Sequence, residues 1–267
     1  MSKLFTTNYV VSNLKNKKIV LISDIHYYDK KMKDLLDSIY EKITLEKPNY
    51  ICIPGDIIDE RYIYDEEVFI DFLHKISSIS PVIISIGNHE IKTKTDNDDY
   101  YDEKLFCKIR NIKNLYLLEN ESIELDDFSF TGLYFSKAAY KENRLAKKEV
   151  NHVINKYFPN GINSNKYKIV LCHSPFILIH AKETKLYKDC DLILSGHTHA
   201  GITPIFLNKL TKRVLVSPAK HILPKDSYGY LKEHKTIVSS GITRLSHFNV
   251  FRNFNFLFKG EVVIIKF

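Results

Sequence analysis

Short apolar runs of strand type alternate with longer segments of helical period, and that alternation limits the fold more than any other feature. "KIVLIS" at 18–23 precedes a helix-length stretch at 30–46, "YICIP" at 50–54 precedes one at 65–78, and "PVIISI" at 81–86 precedes one near 100–110. A second series follows, with "FSFTGLYF", a charged helix at 141–157, "YKIVLC" and "DLILS". Strands separated by helix-length crossovers predict an α/β fold with a largely parallel inner sheet. From about residue 201 the pattern changes to short strands, "VLVSP", "TIVSS" and "EVVIIKF", and to turns that include "SYGY". This β-rich ending is expected to complete a second sheet. Neither a repeat nor a Pro/Gly/Ser-rich linker divides the chain, so residues 1–267 are read as a single domain.

Each of five strand ends carries donor side chains. "KIVLIS" runs into Asp24-Ile25-His26, "YICIP" into Gly55-Asp56-Ile57-Ile58-Asp59, and "PVIISI" into Gly87-Asn88-His89-Glu90. "YKIVLC" ends at His173, and "DLILS" at Gly196-His197-Thr198-His199. In open α/β sheets, ligands bind beyond the carboxyl ends of the strands, where such residues would meet. In extended backbone, residues i and i+2 face the same side, so Asp24 with His26, and His197 with His199, are expected to converge as pairs. Gly55, Gly87 and Gly196 stand where the chain must turn sharply beside whatever is bound.

Taken alone, most of these motifs are weak. Asp-x-His arises by chance, Asp59 could cap the following helix, and His173 could satisfy backbone groups. "GHTH" is the strongest single piece, and the five together in this order exceed coincidence. Asp, Asn and neutral His suit borderline divalent ions, manganese first, with iron or zinc as alternatives, while the missing thiolate argues against a cysteine-type structural zinc. Seven donors exceed one tetrahedral ion. They fit two ions about 3.5–4 Å apart that share a carboxylate.

With those motifs in place the chain resembles the calcineurin-like metallophosphoesterases, whose signature is D-x-H, G-D-x-x-D, G-N-H-[ED], H and G-H-x-H in that order. The flavour of "SDIH", "GDIID" and "SGHTHAG" is closest to the bacterial single-domain phosphodiesterase branch. The resemblance implies a four-layer αββα sandwich of two mixed sheets. It implies one ion on Asp24, His26, Asp56 and His199, and the other on Asp56, Asn88, His173 and His197, with Asp56 bridging. His89 becomes the general acid beside the substrate, Glu90 orients it, and Asp59 supports the site near Asp56. The implied reaction is hydrolysis of a phosphate ester, with a diester favoured, by in-line attack of a hydroxide held between two ions. Glu60 stands where the protein Ser/Thr phosphatases of the superfamily carry a phosphate-gripping arginine, and Arg61 comes one position late. This argues against a phosphoprotein phosphatase. Ala200, where relatives often have glycine, is a minor departure.

The remaining features narrow the partners. A formal charge of +7 favours acidic ligands, but the lysines are scattered, so no dedicated nucleic-acid face is expected. The four cysteines form no C-x-x-C pair and read as free thiols. No stretch reaches the apolar length of a membrane span, so a cytoplasmic protein is expected, with peripheral membrane contact left open. The five phenylalanines of "FNVFRNFNFLF" at 248–258 are either sheet core or an apolar lip for a lipid or nucleobase portion of the substrate. The segments "YYDKK" and "KTKTDNDDYYDEK" are expected to overhang the site. Rival readings are a nuclease of the same superfamily, a non-catalytic scaffold, and a metal-storing or sensing protein. Each would need a basic groove, lost ligands or a closed shell, and all seven ligands and His89 are present.

Overall fold

Alternation along each strand assigns its side chains to two faces. In β2 (Lys18–Leu21) and β3 (Tyr50–Pro54), Ile19, Leu21, Tyr50 and Cys52 turn one way, while Val20, Ile51 and Ile53 turn the other. Both sets are buried. Strands covered on both faces must read as continuous apolar runs, which is why these segments stood out in the sequence.

The computed structural model of the chain describes residues 4–12, 14, 16–59, 65–93, 99–100, 103–141, 144–200, 227–243 and 259–267. Among them, two six-stranded sheets form the centre. The first joins β1 (Phe5–Val10), β14 (Glu261–Lys266), β2, β3, β4 (Val82–Ser85) and β7 (Leu115–Leu118) in that order. From β2 to β7 the pairing is parallel, and β14 pairs antiparallel with β2. The second joins β12 (Gly229–Leu231), β13 (Thr236–Val238), β11 (Leu192–Ser195), β10 (Tyr167–Leu171), β9 (Phe128–Gly132) and β8 (Glu121–Leu125). Its four central strands are parallel and its two edges antiparallel.

The sheets pack face to face through Ile19, Leu21, Tyr50 and Val263 of the first and Phe128, Phe130, Ile169 and Leu194 of the second. Their other faces bury helices. On α2 (Glu66–Ile79) the buried residues Phe69, Phe72, Leu73 and Ile76 follow the i, i+3, i+4, i+7 spacing of one helix face. Helices α1 (Lys33–Glu46) and α3 (Glu103–Arg110) join that layer through Leu36, Ile39, Leu105 and Phe106. On the second sheet, Val170 and Ile193 share a core with Val150 and Ile154 of α4 (Arg144–Tyr157), Leu178 of α5 (Pro175–His180) and Leu186 of α6 (Lys185–Asp189). The four-layer αββα sandwich of two mixed sheets is therefore the observed architecture.

Several expectations change. "EVVIIKF" forms β14 and lies in the first sheet, because its fully buried face completes that sheet beside β2. "SYGY" is only partly a turn, since Gly229–Leu231 pairs with β13. The cap of α2 is Asp65, whose side chain accepts from the Glu67 N–H, and Asp59 lies fully buried elsewhere. Tyr27 of "YYDKK" does not overhang anything. It is fully buried, stacked on Phe69 at 5.0 Å, and its hydroxyl donates to the Asp65 carbonyl. "VLVSP", the Phe-rich 248–258 segment, Glu60, Arg61 and most of "KTKTDNDDYYDEK" lie outside the described residues. Cys52, Cys172 and Cys190 are buried free thiols and Cys107 is an exposed one. Among the described residues, no helix is long and apolar enough to cross a membrane.

Candidate metal centre

The parallel strands β2, β3, β4, β10 and β11 all release their chains at one end of the sandwich, and the expected donors meet there. Asp24, His26 and His199 form one group, and Asp56, His173 and His197 another, each with ligand atoms within 4.8 Å of one another. His26, Asp56 and His89 form a third group at the same spacing. His26 Nε2 faces His199 Nε2 at 3.3 Å and Asp56 Oδ2 at 3.7 Å, which joins the groups into one site.

Asp24 and His26 converge as expected but by another route, while His197 and His199 serve different groups. Asp24 and His26 are not extended: their φ angles are 52° and 47°. Asp56 at 52°, His197 at 68° and His199 at 50° are also left-handed, so five of the seven candidate ligands sit in a conformation costly for residues with a Cβ. Strain concentrated at a cluster of donor residues is typical of functional sites. Backbone bonds hold it: Asp24 N–H donates to the Gly55 carbonyl, and His26 N–H to that of Asp56.

Glycines make room for the carboxylates. A Cβ on Gly87 would collide with the Asp56 carboxylate, and one on Gly196 with that of Asp24. Gly241, whose φ is +79°, presses on Asp24 from the loop that follows β13, and a Cβ there would lie 2.8 Å from that of Asp24. Sequence reasoning missed Gly241, because nothing in "SSGIT" points back over 200 residues. Gly87→Ala is expected to cost roughly 1–3 kcal/mol of stability and to weaken Mn²⁺ binding, as read by urea denaturation and titration calorimetry.

Hydrogen bonds fix the orientation of the donors. His197 N–H donates to Asp24 Oδ1 at 3.0 Å, and His89 N–H to Asp56 Oδ1 at 2.8 Å. His173 Nδ1 lies 2.7 Å from the Pro54 carbonyl, so it carries the proton and turns Nε2 towards Asp56 Oδ2 at 2.9 Å. The Glu90 carboxylate acts on the backbone around His89 and not on its ring. It accepts from the backbone N–H groups of Asp56, Ile57, Ile58 and Gly87 and so clamps two of the strand-end loops together. Besides Asp56, the Asp59 carboxylate lies beside the His89 ring, with Oδ1 3.9 Å from Nδ1.

The electrostatics call for cations. Asp24 and Asp56 are fully buried, and among the described residues their ion-pair partners are histidines alone. Burial opposes ionisation of Asp56, but His173, His89 and His26 outweigh it and hold the carboxyl well below the usual range. Burial lowers His173, and the Asp56 and Asp24 carboxylates more than reverse this, raising it to about 9. Burial holds His197 and His199 below their ordinary values, so both are neutral donors at pH 7. Burial and the Asp56 charge push Glu90 up to about 7 against the pull of its N–H donors. His197 Nε2 and Asn88 Oδ1 are buried and make no hydrogen bond among the described residues. Buried carboxylates, neutral imidazoles and an unused amide oxygen in one place fit divalent cations, which would neutralise the charge and use the idle lone pairs.

A mixed-sheet αββα sandwich with such a donor set at its strand ends defines a metallophosphoesterase-type protein. The chain belongs to the calcineurin-like phosphoesterase family, whose sequence model matches residues 17–201. It is 30% identical over 209 residues to an uncharacterized metallophosphoesterase of Helicobacter pylori, covering 78% of this chain and 51% of that one. It is 31% identical over 211 residues to an uncharacterized metallophosphoesterase of Campylobacter jejuni, covering 75% and 49%. Phosphodiesterase YaeI of Escherichia coli is 23% identical over 188 residues, covering 69% and 61%. The chain thus spans about half the length of the first two relatives.

Proposed function

We propose that the protein is a dinuclear-metal phosphoesterase that prefers phosphodiesters, built as one domain over residues 1–267. Asp24, His26, Asp56 and His199 hold one ion, and Asp56, Asn88, His173 and His197 hold the other, Mn²⁺ being favoured over Fe or Zn. One observation carries the reading: two fully buried carboxylates lie among histidines with no lysine or arginine pairing them among the described residues. The diester preference draws support from the E. coli relative named a phosphodiesterase.

When bound, the ions supply a nucleophilic water at neutral pH and withdraw charge from the phosphoryl oxygens. The protein positions everything else. Asp56 places its carboxylate between the two ligand sets while the His89 N–H steadies Oδ1. The His89 side chain is 17% exposed, so it alone of the three polar side chains after Gly87 combines access to substrate with a titratable proton. It donates that proton to the leaving oxygen, with the Asp59 carboxylate 3.9 Å from Nδ1 on the other side of the ring. Glu90 keeps the Gly55 and Gly87 loops at a fixed separation, which holds Asp56, Asn88 and His89 in register.

The substrate class is tested by comparing initial rates on bis-p-nitrophenyl phosphate and p-nitrophenyl phosphate with Mn²⁺-loaded protein. Faster cleavage of the diester supports the assignment. A monoester preference would overturn the diester half of it and move the search to small phosphate monoesters.

A further inference from the structure

Between β9 and α4 the chain makes a short 3-10 helix, Lys137–Lys141, whose part in the site no motif announces. In such a helix, residues three apart eclipse one another, so Lys137 and Tyr140 share a face. Lys137 Nζ donates to the Ile91 carbonyl at 3.2 Å, which pins the helix against the loop that carries His89 and Glu90. The backbone N–H of Ser136 donates to Glu149 Oε1 and ties the start of the helix to α4. Tyr140 is thereby set against the donor cluster, its ring 5.6 Å from that of His197 and 6.0 Å from that of His173.

Two further features distinguish Tyr140 from a packing residue. The residue is only 9% exposed, while its hydroxyl keeps some access to solvent and is engaged by no hydrogen bond among the described residues. Burial first, then the neighbouring Cys172, Asp56 and Glu90, hold the phenol protonated, well above its ordinary range. Across the cluster, His89 sits edge-on against His26 at 4.5 Å, and His26 stacks on His199 at 5.1 Å. One protonatable side chain therefore borders the Asp24–His26–His199 half, and one tyrosine ring borders the His173–His197 half.

We infer that Tyr140 is a substrate-contacting residue: its hydroxyl donates a hydrogen bond to a phosphoryl oxygen of the bound ester on the His173–His197 side, opposite His89. The inference rests on the phosphoesterase reading given above. A phenol keeps its proton at neutral pH and suits an anionic oxygen as acceptor, which gives a charge-assisted bond. Tyr140 supplies no metal ligand in this arrangement.

The test uses the full chain and Tyr140→Phe, which keeps the ring against both imidazoles and removes only the hydroxyl. Each protein is titrated first with Mn²⁺ and then, Mn²⁺-loaded, with inorganic phosphate by calorimetry. The expected result is unchanged Mn²⁺ binding with phosphate affinity about 10-fold weaker in the variant. Equal phosphate affinity in the two proteins overturns the role of Tyr140 and leaves the phosphoesterase reading standing. Weakened Mn²⁺ binding in the variant also overturns it, because the phenol would then act through the imidazoles. If the Mn²⁺-loaded wild type binds no phosphate, the phosphoesterase reading fails and the inference with it.

Discussion

Asp56→Asn is expected to lose detectable hydrolysis and to bind Mn²⁺ at least about 100-fold more weakly, a lower bound set by what removal of a ligand's supporting partner alone costs. The substitution keeps the shape of the side chain and removes its charge. In the wild type that charge faces His173 Nε2 at 2.9 Å and His26 Nε2 at 3.7 Å, and it raises the His173 imidazole. An amide cannot bridge two cations as a carboxylate does, so both halves of the donor set are affected. The metal-free fold should survive, because an amide of the same volume leaves no cavity, and His173 can release its proton once the carboxylate that raises it is gone. Calorimetric titration with Mn²⁺ and a melting curve without metal separate the two effects. Wild-type Mn²⁺ affinity in Asp56→Asn would remove Asp56 from the centre of the site.

His89→Ala should behave differently. Turnover is expected to fall about 10²–10⁴-fold, the range for loss of a general acid, while both ions stay bound. The distinction follows from which part of His89 does what. Its backbone N–H holds Asp56 Oδ1 and is untouched by the substitution, whereas its ring stands at the exposed side of the cluster next to Asp59. Rates on the diester together with Mn²⁺ stoichiometry decide the matter. Loss of metal from the variant would make His89 a ligand, and an undiminished rate would leave the leaving oxygen to some other donor.

Much of this was legible in the sequence, for identifiable reasons. Strands buried on both faces cannot alternate polar and apolar residues, so β2, β3, β4, β10 and β11 announced themselves as unbroken apolar runs. The donors follow them directly, so every candidate ligand could be named by position. What escaped was mostly long-range or set by backbone conformation. The i, i+2 rule assumed extended backbone, whereas Asp24, His26, His197 and His199 reach the site through left-handed turns, and His197 and His199 fall in different groups. Glu90 looked like a partner for its neighbour His89, but its carboxylate reaches over thirty residues back to the Asp56–Ile58 backbone. Gly241 and Tyr140 have no local pattern that marks them. Their roles come from strand and helix placements that bring residues far apart in sequence against one site. The exposed, half-polar strand β8 was missed for the opposite reason: an edge strand with one face in water has no apolar run to reveal it.

The account stands or falls on two cations at one site. Its most direct test is a titration of metal-stripped protein with Mn²⁺, following bound ion by calorimetry and cleavage of bis-p-nitrophenyl phosphate in the same samples. Two equivalents bound, with cleavage absent before metal and complete only as the second ion loads, is the predicted result. One equivalent at saturation, or cleavage that proceeds without any metal, would contradict it.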